Sequence, residues 1–262
     1  MTLWGHVLVV WLGAALVMTA AWAFSRERGN AGWVDVFWAG LMAAAALYAG
    51  SFSDGATLNR WLVAMMGGLW GARLSLHLMH RVLGEPEDGR YQALRRHWNG
   101  DQWRFFALFQ AQAVVVGLFS IPLLVAAGNP EPGLRPAALL AIAVWMLAVG
   151  GEALADRQLA RFRACSPNRG RTCRTGLWGW SRHPNYFFEW LHWFAYAILA
   201  VGAPMGWLAL LGPVVMLAFL YRFTGIPWTE QQALRSRGED YRRYQREVSP
   251  FIPWPPRRPT DP

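Results

Sequence analysis

Polar side chains of catalytic types crowd into one short stretch of this chain. The stretch contains Arg182, His183, Asn185 and Glu189, with an apolar run directly behind it. Pro184 fits the first turn of a helix but not its interior. The stretch therefore predicts the start of a membrane helix, whose free N–H groups beside Arg182 and His183 could hold an anion. Asn185 and Glu189 are four residues apart and share one face of that helix. An ordinary membrane-interface anchor is the alternative.

Three ionisable side chains lie inside or at the edge of apolar runs nearer the N-terminus, namely Asp35, Arg73 and His77. A charge in the bilayer core costs roughly 2.5–3.5 kcal/mol on insertion scales, so such a side chain usually faces a cavity or a partner. Asp35 and His77 are therefore candidates for a functional site. The alternatives are that Asp35 pairs structurally with Arg73 and that His77 is an interhelical hydrogen-bonding residue.

A loop between two apolar runs combines acids, arginines and a tyrosine. Glu87 and Asp88 are followed by Arg90, Tyr91 and Arg95. Arginine suits phosphate because its planar fork donates two parallel hydrogen bonds, and it also stacks on rings. The pattern therefore predicts contacts with a phosphate-bearing cofactor. A loop that pairs with itself and lies on anionic lipid is the alternative.

Two further groups of candidate residues lie nearer the C-terminus. Asp156 is the last residue of the fifth apolar run, and Arg163 follows it. Glu230, Tyr241 and Tyr244 lie in an amphipathic tail, which is also typical of an interfacial helix. No glycine-rich phosphate loop and no metal-binding signature occurs, so no metal site is predicted. We expect four groups of residues to converge on one site for a large anionic cofactor, namely 90–96, 152–163, 182–189 and 230–244.

The elements that must position these residues are membrane helices. Hydrophobic residues make up 54% of the 262 positions and charged residues only 16%, with 17 tryptophans, which is typical of an integral membrane protein. We predict an all-α, polytopic membrane protein with about seven transmembrane helices, as a single transmembrane domain over residues 1–262. Pro204 predicts a turn between the last two helices. The apolar runs fall at about 4–24, 33–51, 61–79, 105–127, 137–156, 186–203 and 207–223.

The arginines indicate how the helices are oriented. They fall almost entirely in alternate loops and in the C-terminal tail, whereas only Arg60 and Arg135 fall in the loops between, and Arg73 lies within a run. The positive-inside rule then predicts an external N-terminus and a cytoplasmic C-terminus, in what we take to be a bacterial inner membrane. The net charge of +9 is explained by this topology, so membrane lipids rather than nucleic acid are the expected partners.

The sequence resembles the steroid 5α-reductase superfamily, including an uncharacterised bacterial membrane branch and, more distantly, isoprenylcysteine carboxyl methyltransferases. The likeness covers roughly residues 60–255. It rests on a central block, a tail and the loop described above, namely Gly176-Leu177-Trp178 with Arg182-His183-Pro184-Asn185-Tyr186 and Glu189; Glu230-x-x-x-Leu234 with Tyr241-x-x-Tyr244 and Pro250-Phe251-Ile252-Pro253; and Glu87-Asp88-x-Arg90-Tyr91.

The resemblance implies an NADPH-dependent oxidoreductase that reduces the conjugated C=C bond of an enone in a steroid-like or other lipophilic substrate. It also implies a variable part over 1–60 and a cofactor-binding part over 61–255. Five prolines in the last ten residues separately predict an irregular tail over 253–262. A protonated Asp35 or His77 would hydrogen-bond the substrate carbonyl. The implied cofactor-binding residues are Arg90, Tyr91, Arg95, Asp156, Arg163, Arg182, His183, Asn185, Tyr186, Glu189, Glu230, Tyr241 and Tyr244.

Two features of the sequence depart from the steroid enzymes. The Gln-Glu pair of their second helix is absent, and Glu230 stands where the mammalian enzymes carry a histidine. One alternative function is an S-adenosylmethionine-dependent methyltransferase acting on a membrane-borne substrate. The other is a lipid-binding membrane protein without enzymatic activity. The arginine-rich loop favours a phosphate-bearing cofactor, because S-adenosylmethionine has no phosphate.

Overall fold

The computed structural model describes residues 1–168, 170–223 and 225–257. Within these ranges the secondary structure is helical throughout, apart from one isolated parallel bridge between Ser181 and Ser249. Arg169 and Arg258, which contribute to the predicted topology, and the end of the predicted tail lie outside the described residues. The α-helices are α1 (Leu3–Arg28), α2 (Trp33–Phe52), α3 (Thr57–Gly84), α4 (Gly89–His97), α5 (Gln102–Ala127), α6 (Pro136–Ala164), α7 (Pro184–Leu199), α8 (Leu211–Ala218), α9 (Ile226–Arg237) and α10 (Glu239–Glu247).

The predicted fold class is confirmed. In the described part of the chain, six helical segments are long and apolar enough to cross a membrane: α1, α2, α3, α5, α6 and the segment Gly206–Arg237. The remaining predicted helix, the sixth in chain order, corresponds to α7, which has 16 residues. Its length is about 24 Å at 1.5 Å per residue, which is slightly short of a 30 Å bilayer core. It begins at Pro184 as predicted, and the chain turns between Leu199 and Gly206. The protein is therefore a multi-pass membrane protein.

The first of two compact units comprises Met1–Leu139 and Tyr196–Gly212. Its helices α2 and α3 approach closely through small residues, as is common where membrane helices pack. A Cβ on Gly71 would lie 2.7 Å from the backbone nitrogen of Ala43, so this contact requires glycine. Asn129 donates hydrogen bonds to the carbonyls of Leu199 and Val201, at 2.7 and 3.0 Å, which holds the turn after α7 against the end of α5.

The second unit comprises Leu140–Ala195 and Pro213–Pro262. Its helices α6 and α7 are in direct contact, because a Cβ on Gly151 would lie 2.5 Å from the Phe188 ring. The C-terminal helices α9 and α10 pack together through a small core, which consists of Ala233, Tyr241, Tyr244 and Val248. The unit thus combines a membrane helix pair with a compact C-terminal helical layer.

Candidate functional site

Asp35, on α2 of the first unit, is fully engaged by residues of α4. Its carboxylate accepts hydrogen bonds from Arg90 Nη2 at 3.0 Å and from the Tyr91 hydroxyl at 2.7 Å. Burial, followed by the negative charge of Asp35, raises the pKa of Tyr91 well above its usual value, so the phenol stays a hydrogen-bond donor. A carboxylate that pairs with a guanidinium accepts hydrogen bonds and has no proton to donate.

The acids that precede α4 fasten the same loop. Asp88 accepts from the backbone N–H of Arg90 at 2.9 Å and caps the helix, and it also pairs with Arg81 at 2.8 Å. Burial acts to raise the pKa of Asp88, but Arg90 and Arg81 outweigh burial and lower it. Glu87 pairs with Arg95 at 2.7 Å and accepts from the N–H of Ala31 at 2.7 Å. We call Asp35, Glu87, Asp88, Arg90, Tyr91 and Arg95 the Asp35 cluster.

The Asp35 cluster changes two interpretations made from the sequence. Its arginines form ion pairs with carboxylates of the same unit. The structure therefore agrees with the alternative in which the charged side chains of this loop pair with one another. The alternative pairing of Asp35 with Arg73 is wrong, because α4 folds back over the turn between α1 and α2 and supplies Arg90 instead. His77 is exposed on α3. The proton-donor roles of Asp35 and His77 stay predictions, and the contacts of Asp35 favour a structural role for its carboxylate.

In the second unit, polar residues of α6 and α7 meet in an antiparallel arrangement. Asn185 donates to Asp156 at 3.3 Å, and Trp178 Nε1 donates to the carbonyl of Ala155 at 2.9 Å. Because Phe188 then meets Gly151, the register places Glu189 at the level of Glu152, one turn beyond the Asn185–Asp156 pair.

These residues form what we call the polar row: Glu152, Asp156, Asn185, Glu189 and His192. Glu152 and His192 are only 3% and 1% exposed. Buried ionisable groups on apolar membrane helices are rare and usually functional. His192 was not predicted as a site residue from the sequence, although its spacing of three residues from Glu189 places it on the same helical face. The row thus includes Asp156, Asn185 and Glu189 as expected.

A cavity of about 250 Å³ lies at the end of α6, and we call it the basic cavity. Three arginines line it: Arg163 from α6, Arg171 from the following loop and Arg237 from the end of α9. Within the described ranges, no carboxylate forms an ion pair with any of the three. Sequence reasoning found only Arg163, because Arg171 and Arg237 are individually ordinary residues of an arginine-rich loop and tail. The remaining lining residues are Leu159, Phe162, Asn168, Gly170, Cys173 and Ser236.

Glu230 on α9 is the centre of a third group in this unit. Its carboxylate accepts from Arg182 Nε at 2.7 Å and from Gln245 Nε2 at 2.8 Å, and it lies 3.3 Å from His183 Nε2. Arg182 Nη1 also donates to the carbonyls of Gln245 and Val248, at 2.9 and 2.8 Å. The anion that was expected beside Arg182 is therefore, in this structure, the side chain of Glu230.

The tyrosines of α10 complete the Glu230 cluster, which we define as Arg182, His183, Tyr186, Glu230, Tyr241, Tyr244 and Gln245. The Tyr244 hydroxyl donates to the carbonyl of Trp178 at 2.6 Å, and the Tyr186 ring stacks on His183 with 5.4 Å between centroids. Burial raises the pKa of Tyr241 and Tyr244. Burial also lowers the pKa of His183, although the Glu230 carboxylate opposes this shift. The cluster fixes the C-terminal layer to the entry of α7.

The four expected groups are thus divided between the units. Residues 90–96 belong to the first unit, where they supply half of the Asp35 cluster. The other three groups lie together in the second unit, as the polar row, the basic cavity and the Glu230 cluster. Of these three, the basic cavity and the polar row are the places whose side chains suit a ligand. The Glu230 cluster chiefly has a structural role, because its polar groups bond to one another and hold the C-terminal layer to the start of α7.

Comparison with known proteins places these residues in a family. A family model described as "Protein of unknown function (DUF1295)" matches residues 21–248, a range that contains every candidate residue. A relative from Schizosaccharomyces pombe (strain 972 / ATCC 24843), "Uncharacterized protein C594.04c", is 27% identical over 265 residues, covering 88% of this chain and 75% of the relative. No solved structure matches the chain.

Proposed function

This chain belongs to the DUF1295 family, a family of unknown function, and from that premise we propose that it is a membrane-embedded, NADPH-dependent reductase. The substrate is a lipophilic molecule with a conjugated C=C bond, steroid-like or of another class. We place the protein in a bacterial inner membrane with its C-terminus in the cytoplasm, where NADPH is available. This orientation rests on the distribution of arginines.

The observation that carries the proposal is the basic cavity. Arg163, Arg171 and Arg237 line it, and none of the three forms a direct ion pair among the described residues, although the charge of Asp240 acts on Arg237. Clustered cations of this kind favour a bound anion. Guanidinium groups match phosphate through paired hydrogen bonds. The cavity is several times the roughly 30 Å³ that one water occupies in the liquid. It therefore has room for more than a phosphate, such as part of a nucleotide.

The polar row supports the proposal that the rest of the cofactor binds beside the cavity, because part of the row lies on α6, which also lines the cavity. Asp156 and Arg163 are both on α6, about 10 Å apart along the axis at 1.5 Å per residue. A dinucleotide whose phosphates occupy the cavity therefore has its other end within reach of the row. Amide and carboxylate groups such as Asn185 and Asp156 suit the hydroxyl and carboxamide groups of that end.

When bound, NADPH supplies the hydride that adds to the β-carbon of the enone. In this account the three arginines neutralise the phosphates, and Asp156 with Asn185 orients the nicotinamide end. The apolar surfaces of α6 and α7 keep water away from the reacting atoms. We assign the hydrogen bond to the substrate carbonyl to the buried end of the polar row, at Glu152 or His192, because Asp35 is already held by Arg90 and Tyr91.

The resemblance to the steroid 5α-reductases supports the same conclusion from the motif. Its central block divides into two structural tasks: Arg182 and His183 contact Glu230 and frame the helix entry, whereas Asn185 contacts Asp156 in the polar row. The residues of the motif are close in sequence because the same helix start carries both the framing residues and the proposed ligand-binding side chain.

The test is transfer of a label in lipid nanodiscs. NADPH that carries deuterium at the transferable position is incubated with the protein and a panel of lipophilic enones, and products are analysed by mass spectrometry. We expect deuterium in a saturated product, strongly reduced by Asn185→Ala and unchanged by Gln231→Ala, an exposed position on α9. Methyl transfer from S-adenosylmethionine with no deuterium transfer would replace the proposal with the methyltransferase. Neither activity across the panel, together with no NADPH binding, would favour a lipid-binding protein.

A further inference from the structure

Three large apolar side chains are exposed together at one edge of the second unit. Trp180 is 50% exposed, Ile252 57% and Trp254 68%. Trp180 and Trp254 are held side by side, since the backbone N–H of Trp254 donates to the carbonyl of Trp180 at 2.9 Å. We call these three residues the apolar patch. Exposed apolar residues that are clustered by backbone contacts, rather than scattered, usually mark an interaction surface.

The segment that carries the patch is fixed to the protein. Ser181 Oγ donates to the carbonyl of Phe251 at 2.7 Å, and the N–H of Arg182 donates to the carbonyl of Ser249 at 2.8 Å. Phe251 is buried, while its neighbour Ile252 points outward. Residues 249–254 are therefore an ordered strap whose exposed side chains have a defined direction.

The strap lies beside the start of α7 and beside the point where the uncharged part of the segment Gly206–Arg237 ends. The Phe251 ring contacts Phe187 and Trp190 in the first two turns of α7, with centroids 5.8 and 5.5 Å apart. It also contacts Tyr221, at 5.5 Å, near the middle of the segment Gly206–Arg237 and at the end of its uncharged first half. Arg222 is the first charged residue of that segment, which is typical of a membrane boundary. The strap is thus at the level of the lipid headgroups.

We propose that the apolar patch inserts into the headgroup region of the bilayer that the protein spans. Tryptophan is enriched at this depth because its ring is apolar while its N–H remains available to polar neighbours. Arg257, exposed just beyond the patch, suits the negative surface of anionic lipid. The C-terminal strap is then a membrane-bound support for the Glu230 cluster rather than a free tail. This inference does not depend on the proposed reductase activity.

The test measures the surroundings of spin labels in phosphatidylcholine nanodiscs. Labels are introduced by Ile252→Cys and Trp254→Cys in a Cys165→Ser background, in which the remaining Cys173 is buried. The matched control is Arg246→Cys, on the exposed face of α10. Collision rates are measured with oxygen, which concentrates in lipid, and with a water-soluble nickel chelate. The unlabelled background protein and its thermal midpoint serve as checks on labelling and folding.

We expect a higher oxygen-to-nickel ratio at positions 252 and 254 than at 246. A ratio equal to that at 246 would show that the patch faces water and would overturn the proposal. Low collision rates with both reagents would mean that protein covers the patch, such as a second copy of this chain, and would overturn it equally.

Discussion

At the scale of single residues, neighbours decide what an ionisable side chain does. Asp35 has the position expected of a buried acid, yet Arg90 and Tyr91 engage both of its oxygens. Arg182 has the position expected of a phosphate ligand, yet Glu230 already occupies its Nε. By contrast, Arg163, Arg171 and Arg237 share a cavity, and no direct ion pair holds any of the three among the described residues. The residues that suit a ligand are thus those whose guanidinium groups are not already bonded directly to a carboxylate.

Replacing Asp35 tests its structural role. Asp35→Ala removes the acceptor of the Tyr91 hydroxyl and one of the carboxylates that pair with Arg90. We therefore expect a loss of stability of about 1–3 kcal/mol, the usual cost of stranding a partly buried polar partner. Thermal unfolding in detergent measures this loss, with Asp54→Ala, an exposed acid after α2, as the matched control. Adding Arg90→Ala should restore part of the stability. An Asp35→Ala protein with unchanged stability but no turnover would instead make Asp35 the proton donor.

His183 gives the second unit a dependence on pH. Burial lowers the folded-state pKa of His183 below the roughly 6.5 of an unfolded histidine. As pH falls through about 6.5, the unfolded chain therefore takes up a proton that the folded chain resists, and stability is lost. We expect the unfolding midpoint to fall more between about pH 7.5 and about pH 5.5 in the wild type than in His183→Gln. His97→Gln, at an exposed position, should behave like the wild type; a loss in His183→Gln as large as in the wild type would contradict the account.

At the scale of elements, the Glu230 cluster joins α9 and α10 to the start of α7. The pairing of Arg182 with Glu230 links residues 48 positions apart, and Tyr244 reaches back 66 positions to Trp178. These contacts hold the C-terminal layer in place although its own core is small. The layer in turn supplies Arg237 to the basic cavity.

Glu230→Ala should therefore loosen the C-terminal layer specifically. Breaking a fully buried ion pair costs roughly 3–5 kcal/mol, and we expect less here because the Glu230 side chain is 16% exposed. Hydrogen exchange should become faster in α9 and α10 while α2 and α3 stay protected. Glu239→Ala, which removes only exposed pairs with Arg242 and Arg246, is the control. Uniform exchange across both units after Glu230→Ala would argue against a local role.

Local signals predicted the elements well, and non-local contacts account for what they missed. Apolar runs located the membrane helices, and Pro184 located the start of α7, because these signals act within one helix. The partner of Asp35 depends on how α4 folds back, and the partner of Arg182 on how the tail returns, so no spacing in the sequence indicates either. His192 could have been found from its spacing to Glu189, whereas the basic cavity required the fold of the loop after α6.

At the scale of the whole molecule, the chain is an all-helical, multi-pass membrane protein of the DUF1295 family. Its orientation in the membrane stays a prediction from the arginines. A reporter active only in the cytoplasm, fused after residue 262, should be active, and one fused before Met1 should be inactive. Fusion after Ser53, between α2 and α3, provides a control that should match the N-terminal fusion. The reverse pattern would also place the basic cavity on the side without NADPH.

The most direct test of the central claim is the affinity ratio of NADPH to NADH, because the two cofactors differ only by one phosphate. Equilibrium binding in nanodiscs should show a preference for NADPH of at least about tenfold, equivalent to ~1.4 kcal/mol. Arg163→Ala and Arg171→Ala should each reduce this ratio towards one, because each variant should lose more affinity for NADPH than for NADH. Arg242→Ala, an exposed arginine on α10, should keep the wild-type ratio. Equal affinity of the wild type for the two cofactors, or an unchanged ratio in both cavity variants, would contradict a basic cavity that recognises the phosphate of NADPH.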